Sequence, residues 1–99
     1  MDNYQSTLRL NLLEILDYGK NRKNRKRYSL ADILAQLHSI YLVAYQKPET
    51  IQIADAIQYL LERSLIENVQ VGDVEMYYIN DQGRDLLERI GEGDETAII

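Results

Sequence analysis

The chemistry most evident in this sequence is electrostatic, because the basic residues are concentrated in one short segment. Six of the eleven Lys and Arg residues form a basic segment over positions 20–27, namely Lys20, Arg22, Lys23, Arg25, Lys26 and Arg27. The whole chain carries a net charge of −5, so the rest of the sequence carries −11. Clustered cations of this kind neutralise phosphates and release counterions, which gives affinity for DNA of any sequence. They also suit RNA or an acidic protein, and a solvated loop that keeps an acidic protein in solution is the simplest alternative.

Residues that could perform catalysis or bind a metal do not form a recognisable pattern. The absence of Cys excludes disulfides, thiolate metal sites and a Cys nucleophile. His38 is the only His and falls near an apolar helical stripe, where packing explains it better than metal binding. Gly91 and Gly93 follow a predicted helix and precede none, so they form no phosphate-binding loop. We therefore expect no catalytic residue, no metal and no cofactor, and hence no enzyme.

Length and composition predict one small cytoplasmic domain. A chain of 99 residues can bury one modest core and has little room for a deep cavity, so we expect it to bury further surface as a homodimer. Neither a secretory signal nor an apolar run long enough to span a bilayer is visible, so we expect no membrane association. All eight aromatic residues are Tyr, a residue that suits the boundary of a core or an interface.

Apolar residues at helical spacing predict three helices in the first two-thirds of the chain. The first runs from Ser6 to about Asp17. The second is capped by Ser29 and is predicted to continue to Tyr45. The third has Pro48 in its first turn, and its inner face is formed by Ile53, Ile57, Leu60, Leu61 and Ser64. Its outer face then presents Ile51, Gln52, Asp55, Gln58, Tyr59 and Glu62.

A hairpin and a fourth helix are predicted after the third helix. Gly72-Asp73 suits a tight turn between two extended runs, and Tyr28-Ser29 suits a further short strand. Asn80 or Asp81 caps the fourth helix, whose inner face is formed by Leu86, Leu87 and Ile90. Residues 92–99 are acidic and contain Gly, which predicts a flexible tail after a domain formed by residues 1–91.

Three consecutive segments resemble winged-helix regulators of the multiple-antibiotic-resistance and phenolic-acid-decarboxylase-repressor type. AIQYLLERSLIE (56–67) is similar to the end of a recognition helix that leads into the first wing strand, and VQVGDVEMYYI (69–79) is similar to the two wing strands. NDQGRDLL (80–87) resembles the segment, usually Thr-x-x-Gly-x-x-Leu, that closes the wing. Asn80 replaces Thr as an equivalent cap, and Gly83 allows the helix to approach the sheet closely. The resemblance covers about two-thirds of the chain if the second helix is included.

This resemblance implies a mainly α fold with a small β-hairpin, the winged helix-turn-helix, with three helices, a two-stranded wing and a C-terminal helix. It also implies a dimeric protein that binds duplex DNA and regulates transcription. The third helix would lie near the major groove, where Gln52 and Gln58 can contact bases and Tyr59 can reach phosphate. The basic segment would hold further phosphates, and Leu12, Leu16, Leu87 and Ile90 would be the candidates for the dimer surface if they are not all used in the core.

Acidic residues on the same surfaces leave a second interpretation open. Asp55 and Glu62 lie on the outer face of the third helix, and Asp73 and Glu75 lie in the hairpin, where they would oppose a polyanion. Winged helices are also used as protein-binding modules, since a fold alone does not determine function. The alternative is therefore a protein-interaction module that binds a protein partner through the third helix and does not read DNA sequence.

Overall fold

The computed structural model describes residues 3–17, 27–41, 48–94 and 99. These residues form four helices, α1 (Asn3–Leu16), α2 (Leu30–Ile40), α3 (Thr50–Glu62) and α4 (Asp81–Gly91). They also form three strands, β1 (Tyr28–Ser29), β2 (Ile66–Val71) and β3 (Val74–Ile79). The fold is therefore mostly helical with a small antiparallel sheet, and it is compatible with a winged-helix-like arrangement.

The sheet has the strand order β1-β3-β2, so β3 is its central strand. β2 and β3 are joined by the two-residue turn predicted from the sequence, in which Gly72 has a φ of 62°. The predicted short strand is also confirmed, since Tyr28 pairs with Tyr77 and Ser29 pairs with Met76. The sheet thus contains three strands, because β1 occupies the edge of β3 that the hairpin leaves open.

The hydrophobic core lies between the helices and one face of the sheet. Its fully buried side chains come from α1, α2, α3 and both long strands, and they are Leu8, Leu12, Leu13, Ile33, Leu37, Leu60, Ile66 and Ile79. Burying each such side chain stabilises the fold by about 1.5–3 kcal/mol. The predicted inner residues of α3 are buried at Ile53, Ile57 and Leu60, whereas Leu61 lies half-buried at the edge of the core.

The second helix begins as predicted but ends earlier. The Ser29 hydroxyl accepts a hydrogen bond from the Asp32 N–H, and the Asp32 carboxylate accepts one from the Ser29 N–H, both at 3.1 Å. The helix ends at Ile40, and the buried Tyr41 ring follows it, with its hydroxyl accepting from Asn11 Nδ2 at 2.8 Å. The predicted continuation is therefore wrong at Tyr41, and Tyr45 lies outside the described residues. The apolar spacing of the sequence therefore extends beyond the C-terminus of the helix.

The third helix begins two residues after Pro48. Glu49 is its N-terminal cap, and its N–H donates to the Gln52 side-chain carbonyl at 2.8 Å. Pro48 thus lies before the cap, and the prediction that it occupies the first turn is wrong. Gln52 acts in the first turn as a partner of the helix cap, so its side chain has a structural role within the protein.

The C-terminus of α3 is closed by a Schellman motif with Ser64 in the position that usually holds Gly. The Ser64 N–H donates to the Leu61 carbonyl and the Leu65 N–H donates to the Leu60 carbonyl, both at 3.0 Å. Ser64 has a φ of 58°, in the left-handed region that favours Gly. Ser64 is therefore an exposed turn residue, and its prediction as part of the inner helix face is wrong.

We expect Ser64→Gly to raise the free energy of unfolding by about 0.5–1 kcal/mol, because it removes the steric cost of a Cβ in the left-handed region. Ser64→Ala is the matched control, since it retains the Cβ and should give no such gain. Urea denaturation monitored by circular dichroism measures both changes. Equal stability of the Gly and Ala variants would contradict the expectation.

Asn80 connects the ends of α3, β3 and α4. Its Oδ1 accepts from the Gly83 N–H at 2.9 Å, while its Nδ2 donates to the Ser64 carbonyl at 2.6 Å. Gly83 lies so close to the sheet that a Cβ on it would overlap the Leu65 carbonyl oxygen and lie 2.7 Å from Ile79 Cγ1. The predictions that Asn80 caps α4 and that Gly83 permits a close approach are both confirmed.

The end of α4 is also well defined. The Gly93 N–H donates to the Ile90 carbonyl and the Asp94 N–H donates to the Arg89 carbonyl, both at 3.0 Å, with Gly93 at a φ of 81°. The half-buried Ile99 packs against the core, while residues 95–98 lie outside the described part of the chain. A flexible tail over residues 92–99 stays a prediction.

Candidate nucleic-acid interface

The outer face of α3 is not used by the core and is free to contact a partner. Ile51 is 66% exposed, and Asp55, Gln58 and Glu62 are exposed on the same face. Gln58 Nε2 donates to Glu62 Oε1 at 3.2 Å across one helical turn. Of the predicted base-contacting residues, Gln58 is thus on the exposed face, whereas Gln52 is half-buried and bonded to the helix cap.

Tyr59 differs most from its predicted position. Its ring is half-buried and packs against the core, although the sequence suggested a side chain on the outer face. The guanidinium carbon of Arg9 lies 3.6 Å from the ring centroid, and that of Arg63 lies 4.6 Å from it. The ring is therefore covered by two cations, and we call Arg9, Tyr59 and Arg63 the arginine–tyrosine cluster.

Neither arginine of this cluster was identified from the sequence. Arg63 is four positions after Tyr59, a spacing that places two side chains on one side of a helix, so a pairwise helical pattern could have found it. Arg9 comes from α1 and approaches Tyr59 only because α1 packs against α3. No local sequence pattern reports such a contact, which depends on the packing of elements about 50 residues apart in the chain.

The charge of the cluster is not neutralised within the described part of the protein. Arg84 lies 3.1 Å from an oxygen of Asp17, without the alignment of a hydrogen bond, and Arg89 lies 3.0 Å from Asp94. By contrast, neither Arg9 nor Arg63 forms an ion pair with a described carboxylate. Arg9 Nη2 donates to Gln5 at 3.3 Å, but its Nε is buried and has no hydrogen-bond acceptor.

The hairpin is acidic and carries no cation. Glu67, Asp73 and Glu75 are exposed, and neither strand contains Lys or Arg. Burial raises the pKa of Tyr77, and the negative charge of Glu75 and a hydrogen bond to it raise this pKa further. Tyr77 therefore stays a neutral donor to Glu75, which also accepts from Asn68. The hairpin offers hydrogen-bonding groups but nothing that would neutralise a phosphate.

The basic segment is described only at its last residue. The guanidinium carbon of Arg27 lies 6.0 Å from the centroid of the Tyr78 ring. Tyr78 is near the end of β3 opposite the hairpin turn, about 13 Å from Val74 at the strand spacing per residue. The other predicted phosphate-binding residues lie outside the described ranges, and these are Lys20, Arg22, Lys23, Arg25 and Lys26.

Some of the residues predicted to form the dimer surface lie in the hydrophobic core. Leu12 and Leu16 are buried in the core and are therefore not available as surface contacts. Leu87 and Ile90 are half-buried and pack against the core from α4. Any dimer built on the predicted surface would therefore rest on α4 and not on the apolar stripe of α1.

Two further findings concern ligands and membranes. Within residues 3–17, 27–41, 48–94 and 99, no group of three or more His, Asp or Glu side chains is arranged to hold a metal ion. Across the same ranges, no helix combines the length and the apolar character needed to cross a bilayer.

Comparison with known proteins does not assign a family. Neither a family model nor a curated protein matches this chain. The features of the protein that bear on function are therefore the exposed face of α3, the arginine–tyrosine cluster and the charge pattern of the sequence.

Proposed function

We propose that this chain is a winged-helix-like DNA-binding protein that regulates transcription and has no catalytic role. The observation that carries the proposal is the free outer face of α3, flanked by the two unneutralised guanidiniums of the arginine–tyrosine cluster. An α-helix with its side chains is about 10–12 Å across and fits a major groove of about 12 Å. The position of α3 directly before the β2–β3 hairpin supports this docking.

Phosphate contacts, and not base contacts, supply most of the affinity in this proposal. α3 and the hairpin contain no Lys or Arg, and Asp55 and Glu62 would face the groove. Gln58 is the exposed residue of α3 best suited to a base, since a Gln amide can bond adenine through two hydrogen bonds. The basic segment adds six cations and the cluster adds two, which together would offset the acidic residues of α3 and the hairpin.

A dimer would suit this function, because two protomers bind half-sites about one helical turn apart. Since Leu12 and Leu16 lie in the core, we propose that Leu87 and Ile90 on α4 contribute its apolar contacts.

We expect DNA binding that depends steeply on salt. If the eight cations each contact a phosphate, the association constant should fall roughly 10⁴-fold between 50 and 200 mM salt. Fluorescence anisotropy of labelled duplexes at both concentrations measures this, and several unrelated duplex sequences test specificity. Affinity that differs among sequences at 200 mM would support a regulator. Binding that is equal for all sequences and disappears at 200 mM would contradict sequence-specific regulation.

The acidic and apolar character of the α3 face favours a second candidate. Ile51 is exposed beside Asp55 and Glu62, a combination that suits a protein partner with basic and apolar side chains. In this case the chain is a protein-interaction module that docks through α3. Absence of duplex binding at 50 mM salt would overturn the DNA proposal and leave this candidate.

A further inference from the structure

We propose that Arg9, Tyr59 and Arg63 form a binding site for one phosphodiester group of the DNA backbone. This inference rests on the proposed function and identifies which residues of the folded core hold the DNA. The ligand is recognised as a tetrahedral oxyanion, which can accept several hydrogen bonds from different directions.

The stacking geometry orients the two guanidiniums without using up their donors. An arginine stacked on an aromatic ring satisfies its planar face and keeps N–H groups along its edge for an anion. The two guanidinium carbons are 3.6 and 4.6 Å from one ring centroid, so they are no more than about 8 Å apart. Two guanidiniums at this separation can donate to the same phosphate.

The cluster lies where a groove-bound α3 would meet the DNA backbone. Ile51, Asp55, Gln58 and Glu62 form the exposed face, and Tyr59 and Arg63 are rotated from it by about a quarter of a turn toward α1. Side chains on the flank of a helix in the major groove face the phosphates along its walls. Arg9 reaches the same flank from α1, so the site joins two helices and would fix the orientation of α3 on the duplex.

The electrostatics of the cluster also favour an anion. Glu62 is next to Arg63 in the sequence, yet its carboxylate accepts from Gln58 and forms no ion pair with either arginine of the cluster. Arg9 Nε is buried without an acceptor, which is a costly state for a charged donor. A phosphate would supply the ion-pair partner that Arg9 and Arg63 lack among the described carboxylates.

The test measures the slope of log K against log salt for duplex binding. Arg9→Gln and Arg63→Gln should each lower the magnitude of the slope by about 0.9 and weaken binding about eightfold at 0.1 M salt, and the double variant should lose about twice that slope. Arg89→Gln is the matched control, because Arg89 lies on α4 and the positive charge that it loses is paired with Asp94. Its slope should equal that of the wild type. Circular dichroism and thermal unfolding establish that each variant is folded.

The outcomes separate this inference from the proposed function. If the wild type binds no duplex, the proposed function fails and the site fails with it. If the wild type binds but folded Arg9→Gln and Arg63→Gln keep the wild-type slope, the phosphate site is wrong while DNA binding stands. If Arg9→Gln unfolds the protein, the test depends on Arg63→Gln, because Arg63 is exposed and its replacement should leave the fold intact. An unchanged slope for Arg63→Gln then overturns the proposed site. A slope that falls equally in Arg89→Gln would also overturn it, because net charge alone would then explain the result.

Discussion

Gly83→Ala should lower the free energy of unfolding by about 3 kcal/mol. Ala is normally favoured over Gly in a helix by about 1 kcal/mol, so helix propensity alone predicts the opposite sign. The clash decides the result, because the new Cβ would overlap the Leu65 carbonyl oxygen and press on Ile79. Backbone atoms cannot move aside as a flexible side chain does, so the start of α4 must separate from the sheet. Urea denaturation followed by circular dichroism measures the loss.

Gly91→Ala is the matched control for this experiment. Gly91 is exposed in the last turn of the same helix, and nothing lies within 4 Å of a Cβ built on it. Its replacement should be neutral or stabilise the protein by up to about 1 kcal/mol. Equal stability of the two variants would show that Gly83 does not determine the approach of α4 to the sheet.

Replacing Lys23, Arg25 and Lys26 together with Gln should weaken duplex binding roughly 500-fold at 0.1 M salt. Each phosphate contact contributes about 0.9 to the slope of log K against log salt, and therefore about 0.9 log units at this concentration. Three lost contacts give the expected change and lower the magnitude of the slope by about 2.7. Fluorescence anisotropy over a salt series measures both quantities.

The control is a triple variant that keeps the charge, with Lys23→Arg, Arg25→Lys and Lys26→Arg. Because the phosphate contribution depends on charge, this variant should bind nearly as well as the wild type. If the Gln variant kept wild-type affinity, the basic segment would be a solvated loop, and the version of the proposal that depends on it would be wrong.

Local patterns predicted most of the secondary structure. The Ser29 capping box, the Gly72-Asp73 turn and the Asn80 cap depend on residues within a few positions of one another, and all three are present. Gly83 was interpreted correctly because residues 80–87 follow a segment pattern in which a Gly at the start of a helix lets that helix approach the sheet closely. The strand at Tyr28 was also found, since a short extended run preceded a cap.

The features that were wrong or missed depend on contacts between distant residues. The helix α2 ends at Ile40 and the Tyr41 ring after it is buried, although the apolar spacing continues beyond this point. Ser64 adopts a positive φ in a helix-ending motif that usually contains Gly. Because the residue at this position is Ser, no local signal in the sequence predicted the turn. The stacking of Arg9 on Tyr59 requires α1 to pack against α3. For the same reason, the sequence placed Tyr59 on the outer face of α3 and not within the arginine–tyrosine cluster.

Few substitutions of Asn80 can keep both of its side-chain hydrogen bonds. Ser, Thr and Asp could each supply the oxygen that accepts from Gly83, but none of them has an amide to donate to the Ser64 carbonyl. Thr would therefore not replace Asn80 as an equivalent cap, which differs from the expectation from the sequence. Gln has both groups but carries them one methylene farther from the backbone. A lineage that lost Asn80 would therefore need a second substitution near Ser64 to restore the bond between the end of α3 and the start of α4.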